Sequence, residues 1–341
     1  MCDWRPNIIR THVHDGSSSS LTIQAASQEL IQMAGDGNLM RVKDLVEYRG
    51  AHLNERDEHH GCTALYRAVQ NRHAHVAEYL LRKGANVNIS DSSLETPLFK
   101  ATRNNLYDLV RLLLLTGANP NTGNAWGDRP LFIASRCGFV AVAEALLDAG
   151  ADVNAVNVNE GNETPLFAAV LSRRPDIVKL LVSKGANVNA YKAGATALHV
   201  TSFLGLVELI DALLSETKND NNAVNVDLLD RDGRTALYRA SSRGHAQVVQ
   251  ALLQAGANPL IQVRGTTALE LAAQKGHLII VQMLQQVQVS RYDDPQNPSR
   301  RRGGGRSRRP TAELKILDVV KQPPKVRHTS KPKPNSNRSV L

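Results

Sequence analysis

Five residues near the start of the chain have side chains that can ligate a metal ion, and they fall into two groups. His59, His60 and Cys62 form the first group, and His73 and His75 form the second. Imidazole and thiolate are common zinc ligands in proteins. The sequence between the groups predicts about eight helical residues, which at about 1.5 Å each hold the groups about 12 Å apart. We therefore interpret these residues as turn and surface side chains, and we expect neither a metal site nor a cofactor.

The sequence contains none of the short patterns that are typical of enzymes. It has no nucleophile elbow, phosphate-binding loop, dinucleotide-binding fingerprint or kinase signature. The glycine run at 303–305 lacks a preceding strand and a following Lys-Ser/Thr, so we interpret it as a flexible spacer. We expect no catalytic residue and a protein that is not an enzyme.

The composition excludes membrane-spanning and disulfide-rich classes. No segment approaches the run of about 18 apolar residues that a transmembrane helix needs. Residues 1–20 have no apolar core behind a basic start, which argues against a secretory signal. The three cysteines, Cys2, Cys62 and Cys137, are widely spaced and do not make a disulfide framework. These features indicate a reducing compartment, so we expect a cytoplasmic or nuclear protein.

The positive charge of the chain is concentrated at its C-terminal end. The 341 residues include 41 Lys and Arg against 32 Asp and Glu, a net charge of +9. Residues 291–341 alone hold 14 basic and 4 acidic residues, a net charge of +10, so the rest of the chain is nearly neutral. This segment is rich in proline and poor in large apolar residues, a composition typical of disorder.

Two short sequence elements recur along the middle of the chain. The first is Thr-Pro-Leu-Phe or a close variant, and its copies begin 33, 33, 35, 32, 39 and 32 residues apart. The second is Gly-Ala-Asn-Val-Asn or a close variant, and it follows the first in most units. Self-similarity at such a period indicates a repeat protein. The first element begins at Thr63, Thr96, Arg129, Thr164, Thr196, Thr235 and Thr267.

Each part of the repeating unit has a physical role. The Thr is a helix N-cap, and the proline that follows it in several copies fits the first helical position. A short first helix ends at a glycine such as Gly138 or Gly205. A second helix with apolar residues at helical spacing follows, and the next Gly-Ala ends it. The remaining residues form an extended finger that leads to the next unit.

This pattern resembles the ankyrin repeat family, with seven clear copies and one degenerate copy before them. The resemblance implies an all-α solenoid of helix–turn–helix–finger units that is stabilised by contacts between neighbouring units. It implies an ankyrin repeat domain over residues 25–290, a disordered segment over 1–24 and a disordered basic tail over 291–341. The 39-residue spacing predicts one long irregular loop at 215–222.

The fourth position of the first element departs from the family pattern. The family usually has His there, and only His199 keeps it. We expect several units to use apolar contacts in its place. Arg129 also stands where a capping Thr is expected, at a cost of about 1 kcal/mol. The residues that replace His are Tyr66, Phe99, Phe132, Phe167, Tyr238 and Glu270.

The resemblance implies that a partner binds a concave surface lined by finger tips and first helices. We call this concave surface the wall. Its residues that the repeat does not need for folding are basic towards both ends of the wall and apolar at its centre. Arg and Trp are common hot spots of interfaces. We therefore expect a monomeric protein that binds one or more partner proteins. The bound part of the partner would be an extended or helical segment with acidic ends and a hydrophobic middle. The predicted partner-binding residues are Arg67, Lys100, Arg103, Trp126, Ile133, Arg136, Phe203, Arg239 and Arg243.

The tail contains three further candidate features. Its basic cluster has three open interpretations: a nuclear import signal, an electrostatic contact with nucleic acid or an anionic membrane, and a solvated linker. The apolar residues within 314–320 either fold on a partner or pack on the last repeat. The terminal Ser339, Val340 and Leu341 are similar to a PDZ-domain ligand. The basic cluster consists of Arg300, Arg301, Arg302, Arg306, Arg308 and Arg309.

The sequence favours a non-enzymatic scaffold or adaptor protein. One alternative is a nucleic-acid-associated or nuclear regulatory protein that uses the basic tail for RNA or DNA contact. A second alternative is a substrate receptor of a ubiquitin ligase, which the lack of a Cys-containing box after residue 290 disfavours. The sequence does not identify the partner, since the free surface positions of the family vary with the ligand.

Overall fold

The computed structural model describes residues 16–157, 159–215 and 223–292, with side chains from 22 to 287 in those ranges. These residues form sixteen α-helices and one two-stranded antiparallel sheet, β1 (Tyr191–Lys192) and β2 (Ala195–Thr196). The helices are α1 Gly16–Gly35, α2 Leu39–Glu47, α3 Ala64–Gln70, α4 Ala74–Arg82, α5 Pro97–Arg103, α6 Tyr107–Leu115, α7 Pro130–Cys137, α8 Val140–Asp148, α9 Pro165–Leu171, α10 Pro175–Ser183, α11 Ala197–Leu204, α12 Val207–Ser215, α13 Ala236–Arg243, α14 Ala246–Gln254, α15 Ala268–Lys275 and α16 Leu278–Tyr292.

The helices come in pairs, and successive pairs stack on one another. Each first helix contacts the first helix of the next pair, as α3 does with α5 and α11 with α13. The second helices stack in the same way, as α6 does with α8. This is the predicted all-α solenoid, and the hydrophobic core runs continuously along it. The leucines of the first repeated element form one buried row: Leu65, Leu98, Leu131, Leu166, Leu198, Leu237 and Leu269.

The first helices begin where the repeated Thr predicts. At Thr96, the side-chain oxygen accepts a hydrogen bond from the Phe99 backbone N–H at 3.1 Å. Most of the other motif threonines cap their helices in the same way. Arg129, which replaces the Thr in the third copy, makes no side-chain capping bond, and Pro130 follows it at the start of α7. The cap that the sequence lacks at this position is therefore also absent from the structure.

The turn between the two helices of a pair requires a left-handed residue. Gly138 has φ +86° and Gly205 has φ +73°, in the predicted position. Arg72, Asn105 and Arg173 occupy the same position in other pairs, with φ between +55° and +66°. Residues with a Cβ atom resist this conformation by about 1–2 kcal/mol. The fold therefore imposes the same turn on pairs whose sequence does not favour it.

A ladder of side-chain amides connects the fingers of successive repeats. The Asn119 backbone N–H donates to Oδ1 of Asn88, and the Asp152 backbone N–H donates to Oδ1 of Asn121, each at 2.8 Å. The Asn121 amide also donates to the Gly150 carbonyl at 3.0 Å. Each finger is therefore held to the next by side chains of the second repeated element. The acceptors along the ladder are Asn54, Asn88, Asn121, Asn154, Asn189 and Asp227.

The boundaries of the array differ from those expected. Helix α1 begins at Gly16 and not at residue 25, and α16 continues to Tyr292. The predicted long loop, apart from Ser215 at the end of α12, and the basic tail from residue 293 onwards lie outside the described residues. The ladder nevertheless crosses the position of that loop, because the Asn225 N–H donates to Oδ1 of Asn189 at 2.9 Å.

Among the described helices, none is long and apolar enough to cross a lipid bilayer.

Candidate partner-binding surface

The surface to be tested is the inner face, which we define as the first helices α3, α5, α7, α9, α11, α13 and α15 with the finger tips that precede them. Each first helix is only two turns long and buries its leucine and alanine side against its own second helix. On α3, α5 and α13, basic side chains on the opposite side of the helix contact the finger of the same repeat. The fingers therefore decide which side chains of this face are free.

A carboxylate from a finger pairs with Arg67 at the N-terminal end of the inner face. Arg67 Nη2 lies 2.8 Å from Oδ2 of Asp57. Burial of Asp57 opposes its ionisation, but hydrogen bonds from the His60 backbone N–H and from Arg67 outweigh it and hold the pKa of this carboxyl below its ordinary value. The guanidinium of Arg67 is therefore already neutralised within its own repeat.

Glu95 plays the same role for two predicted contact residues of α5. Its carboxylate is almost fully buried, and its oxygens lie 2.5 Å from Arg103 Nη1 and 3.9 Å from Lys100 Nζ. Burial raises the pKa of Glu95, and the positive charges of Arg103 and Lys100 offset this only in part. Tyr66 donates its hydroxyl to Asp91 at 2.8 Å, so it completes a polar network and does not rely on apolar contact alone.

Asp230 neutralises Arg239 of α13, and also Arg234 in the finger before it, near the other end. Its side chain is fully buried, and Oδ2 lies 2.5 Å from Arg239 Nη2 and 3.1 Å from Arg234 Nε. Burial opposes ionisation of Asp230, but the Arg234 backbone N–H and the two guanidinium groups keep its pKa below the ordinary value. The predicted basic wall therefore contains, at three of its repeats, ion pairs with finger carboxylates that are largely buried.

Two predicted arginines remain without an ion pair among the described residues. Arg136 lies over the ring of Phe132, 5.5 Å from its centroid, and Arg243 lies over Phe203 at 4.0 Å. Both are exposed, and a cation over an aromatic face keeps most of its hydrogen-bonding groups available. Arg136 also lowers the pKa of Asp128, although burial has the larger effect and raises it. These two arginines are the ones best placed to bind an acidic partner.

Trp126 lies in the finger tip before α7 and is 57% exposed. Its backbone N–H donates to Oδ1 of Asn124 at 3.0 Å, so the turn around it is ordered although its indole is free. An exposed tryptophan on a rigid turn is pre-organised for contact, since little conformational entropy is lost on binding. The structure thus presents Trp126 as an accessible apolar side chain on the inner face.

Ile133 is a correction to the sequence interpretation. It was expected to supply the exposed apolar centre of the wall, but it is only 3% exposed. It packs with Phe99, Phe132 and Ala168 in a small separate cluster that joins three successive repeats. The expected apolar contacts at the fourth motif position are present here for two of the phenylalanines. Ile133 therefore stabilises the array and offers no free surface to a partner.

The sequence reasoning missed the finger carboxylates that neutralise the wall, which are Asp57, Glu95 and Asp230. Asp230 stands at a regular position, five residues before the first element of its repeat, which Asp91 and Asn124 hold in their own repeats. Each accepts backbone N–H bonds across its own turn through Oδ1, as Asp230 does from Asp232 and Arg234. A polar residue at this fixed distance was visible in the sequence. Which basic side chain its second oxygen would meet was not visible.

The histidines and cysteine considered as metal ligands have other roles. His73 lies at the N-terminus of α4, with Nε2 3.0 Å from the Gly35 carbonyl, and His75 contacts the Gly37 carbonyl at 3.2 Å. Cys62 is buried, which raises the pKa of its thiol to about 11. Over the described ranges, no group of three or more His, Cys, Asp or Glu side chains is arranged to hold a metal ion.

Comparison with known families agrees with this architecture. The family model for ankyrin repeats, which contains three copies, matches residues 30–124, 104–192, 131–225 and 198–293. These matches cover well over half of the chain. The chain belongs to the ankyrin repeat family. Ankyrin arrays are typically interaction modules without catalytic activity, so the fold supports protein–protein interaction as the general role of this chain.

Several curated ankyrin proteins and other relatives match shorter segments. A probable E3 ubiquitin-protein ligase, XBOS34, of Oryza sativa subsp. japonica is 38% identical over 101 residues, 28% of this chain and 18% of the relative. The B-cell lymphoma 3 protein homolog of Mus musculus is 34% identical over 101 residues, 29% and 22% of the two chains. The ANK repeat-containing protein nipk-1 of Caenorhabditis elegans is 30% identical over 124 residues, 32% and 20%. The matched segments thus span about a fifth of each relative.

Proposed function

We propose that the chain is a scaffold or adaptor that binds a segment of a partner protein on its inner face, between α5 and α13. The observation that carries this proposal is Trp126, a large apolar side chain that stands free on an ordered finger tip. Its side chain is 57% exposed, and tryptophan is among the residue types most often found as interface hot spots. The partner contributes the surface that covers it.

The free charges of the inner face define the chemistry of the partner segment. Arg67, Lys100 and Arg239 are held by finger carboxylates, so they contribute mainly to the rigidity of the wall. Arg136 and Arg243 keep their charge available and lie beside aromatic rings. A segment with an apolar middle and acidic residues on both sides fits this arrangement. We place the complex in the cytoplasm or the nucleus.

A paired variant tests this site. The change Trp126→Ala with Arg136→Glu removes the free indole and reverses one of the two unpaired charges. Truncation of an interface hot spot typically costs about 2 kcal/mol or more, or roughly a thirtyfold loss of affinity. We expect proximity labelling in cells, followed by binding measurements on the purified principal partner, to show that loss.

The matched control carries two charge changes on the opposite face, Glu208→Lys on α12 and Gln247→Lys on α14. Both positions are exposed. Circular dichroism and thermal melting first establish that each variant is folded. The proposal would be contradicted if the principal partner bound the inner-face variant as tightly as the unchanged protein but failed to bind the control. The binding site would then lie on the outer face.

The alternative of a nucleic-acid-associated role rests on the basic tail and is separated by a deletion. Removal of residues 293–341 should abolish RNA or DNA retention if the tail makes that contact, and retention by the full chain should fall steeply with salt, because neutralised phosphates release counterions. An adaptor should keep its principal partner after this deletion and after nuclease treatment. The role of ubiquitin-ligase substrate receptor is supported by the similarity to the probable E3 ubiquitin-protein ligase XBOS34, of which the matched segment spans 18%.

A further inference from the structure

The outer face, formed by the second helices, carries a groove between α6 and α8 that is lined by both apolar and charged side chains. Its volume is about 590 Å³. One wall is the ridge Tyr107, Arg111 and Leu115, which are spaced four residues apart and so project from one side of α6. Leu115 is 79% exposed and Tyr107 is 40% exposed. The ridge therefore leaves a large apolar surface in water.

The repeat does not require these residues. Leu115 stands two residues before the glycine that ends its repeat, where the outer helices α4, α8, α10, α12 and α14 carry polar side chains. Ala141, on the opposite wall, stands at the second position of its helix, where α4, α6, α10, α12 and α14 have polar residues. The residues equivalent to Leu115 are Arg82, Asp148, Ser183, Ser215 and Gln254, and those equivalent to Ala141 include His75, Asp108, Asp176, Glu208 and Gln247. Across α4 to α14 this apolar character is confined to the groove, whereas Met40 on α2 and Ile279 on α16 are exposed at the two ends of the array.

The two walls of the groove complement each other in shape and charge. The α6 wall protrudes and carries the positive charge of Arg111. The α8 wall is low, because Ala141 and Ala145 line it, and it carries the negative charges of Glu144 and Asp148. Arg111 lies 5.9 Å from the ring of Tyr107 and forms no ion pair within the residues described. The protruding, positively charged wall is therefore complementary to the low, negatively charged one.

We propose that this groove is the interface of a two-fold symmetric dimer of the chain. A symmetric dimer uses the same patch on both subunits, so the patch must be complementary to itself. A two-fold axis along the groove, parallel to both helices, lays α6 of one copy on α8 of the other in the same direction. Leu115 and Tyr107 then fill the low alanine wall of the partner copy.

The register of the two helices places the charges correctly for this axis. Arg111 is the fifth residue of α6 and Glu144 is the fifth residue of α8. The same axis therefore places Arg111 of each copy opposite Glu144 of the other copy, which gives two equivalent contacts per dimer. Asp148 is held by Lys184 at 2.8 Å in its own chain, which leaves Glu144 as the acceptor.

The dimer is weak and reversible, because two short helices per copy form a patch smaller than the standard interface of about 1,600 Å². It leaves the inner face of each copy free. The proposal therefore does not depend on the partner site proposed above, and it differs from the monomer expected from the sequence.

Sedimentation velocity of the full chain, from about 1 µM to about 1 mM, tests the proposal, since patches below the standard size associate in this range. The unchanged protein should pass from monomer to dimer. Arg111→Glu and Glu144→Arg should each raise the dissociation constant about tenfold or more, because each sets like charges opposite each other twice. An equimolar mixture of the two variants should dimerise again, since both contacts between unlike variants join opposite charges.

Lys179→Glu is the matched control, because Lys179 is exposed and holds the same fifth position on α10. It should dimerise like the unchanged protein. A chain that stays monomeric over the whole range would overturn the proposal, and so would a mixture of the two variants that fails to associate. If only the chain lacking residues 293–341 dimerises, the tail occupies the groove and the proposal is wrong for the full chain.

Discussion

His199 connects two repeats through both nitrogens of one buried ring. Thr196 contributes its hydroxyl at 2.8 Å and its backbone N–H at 3.3 Å to Nδ1, which completes the cap of α11. Nε2 lies 3.0 Å from the Arg234 carbonyl in the next finger, so it carries the proton and donates. Burial lowers the pKa of His199, although the Arg234 carbonyl acts in the opposite direction. The neutral ring is therefore the form that the fold requires.

This lowered pKa predicts a pH-dependent stability. Above about pH 6.5, the ordinary pKa of histidine, the ring is neutral in both states and the contribution is fully present. As the pH falls below that value the unfolded chain takes up a proton that the folded chain does not, so stability is lost by at most about 1.4 kcal/mol per pH unit. Urea unfolding between pH 7.5 and 5 measures this slope.

His199→Gln is the comparison, because glutamine does not titrate and can still complete a Thr capping box. The slope of the variant should be shallower, while the other histidines contribute equally to both proteins. Parallel pH profiles for the two proteins would show that His199 does not control this dependence.

The turns between paired helices impose a backbone conformation even where the local residue does not favour it. The turn after α9 needs a left-handed residue, and Arg173 adopts φ +55° there, where Gly138 and Gly205 serve other repeats. Arg173 is exposed, and the array needs only its backbone N–H, which donates to Val170. The pair α9–α10 therefore contains a strain that the neighbouring pairs avoid.

Arg173→Gly should relieve this strain. The left-handed conformation destabilises the folded state by about 1–2 kcal/mol when the residue has a Cβ. Glycine removes this strain, but ordering its more flexible backbone on folding costs about 0.5–1 kcal/mol. We expect a net gain of up to about 1 kcal/mol in the free energy of unfolding, measured by urea titration. Ser172→Gly, one residue earlier at φ −87°, should instead destabilise the protein. Equal effects at both positions would remove the conformational explanation.

At the scale of the whole molecule, the amide ladder is the feature that links distant repeats. Stability in a repeat array is a sum of unit and interface terms, so a weakened interface in the middle divides the array into two parts. Asn121 lies centrally and makes two bonds to the next finger, whereas Asn54 accepts a single bond at the first rung.

Asn121→Ala should therefore lower stability by about 1–2 kcal/mol and broaden the urea unfolding transition, because two exposed hydrogen bonds are lost at an internal interface. Asn54→Ala should cost less and leave the transition sharp. Asn121→Asp keeps the acceptor for Asp152 and loses only the bond to Gly150, so its effect should be intermediate. A transition as sharp in Asn121→Ala as in the unchanged protein would contradict a role of the ladder in cooperativity.

The sequence by itself determined the repeat, its helices and its turns. These features depend on local chemistry: Thr96 caps the helix that follows it, Gly138 permits the turn that ends one, and Leu98 packs within its own unit. Such interactions join residues a few positions apart, so their spacing is readable along the chain. The same reasoning led us to expect no shared metal site, because a helix separates His60 from His73.

Only the tertiary structure decided which side chains of the inner face are free. Arg67 and Arg239 look available in the sequence, but carboxylates on fingers about ten residues away neutralise them once the finger folds back over the helix. Ile133 looks exposed, but side chains of the neighbouring repeats bury it. Burial and ion pairing depend on what the adjacent unit places against a residue, and a repeat pattern does not contain that information. Trp126 and Leu115 became candidates for function because their neighbours leave more than half of each side chain exposed.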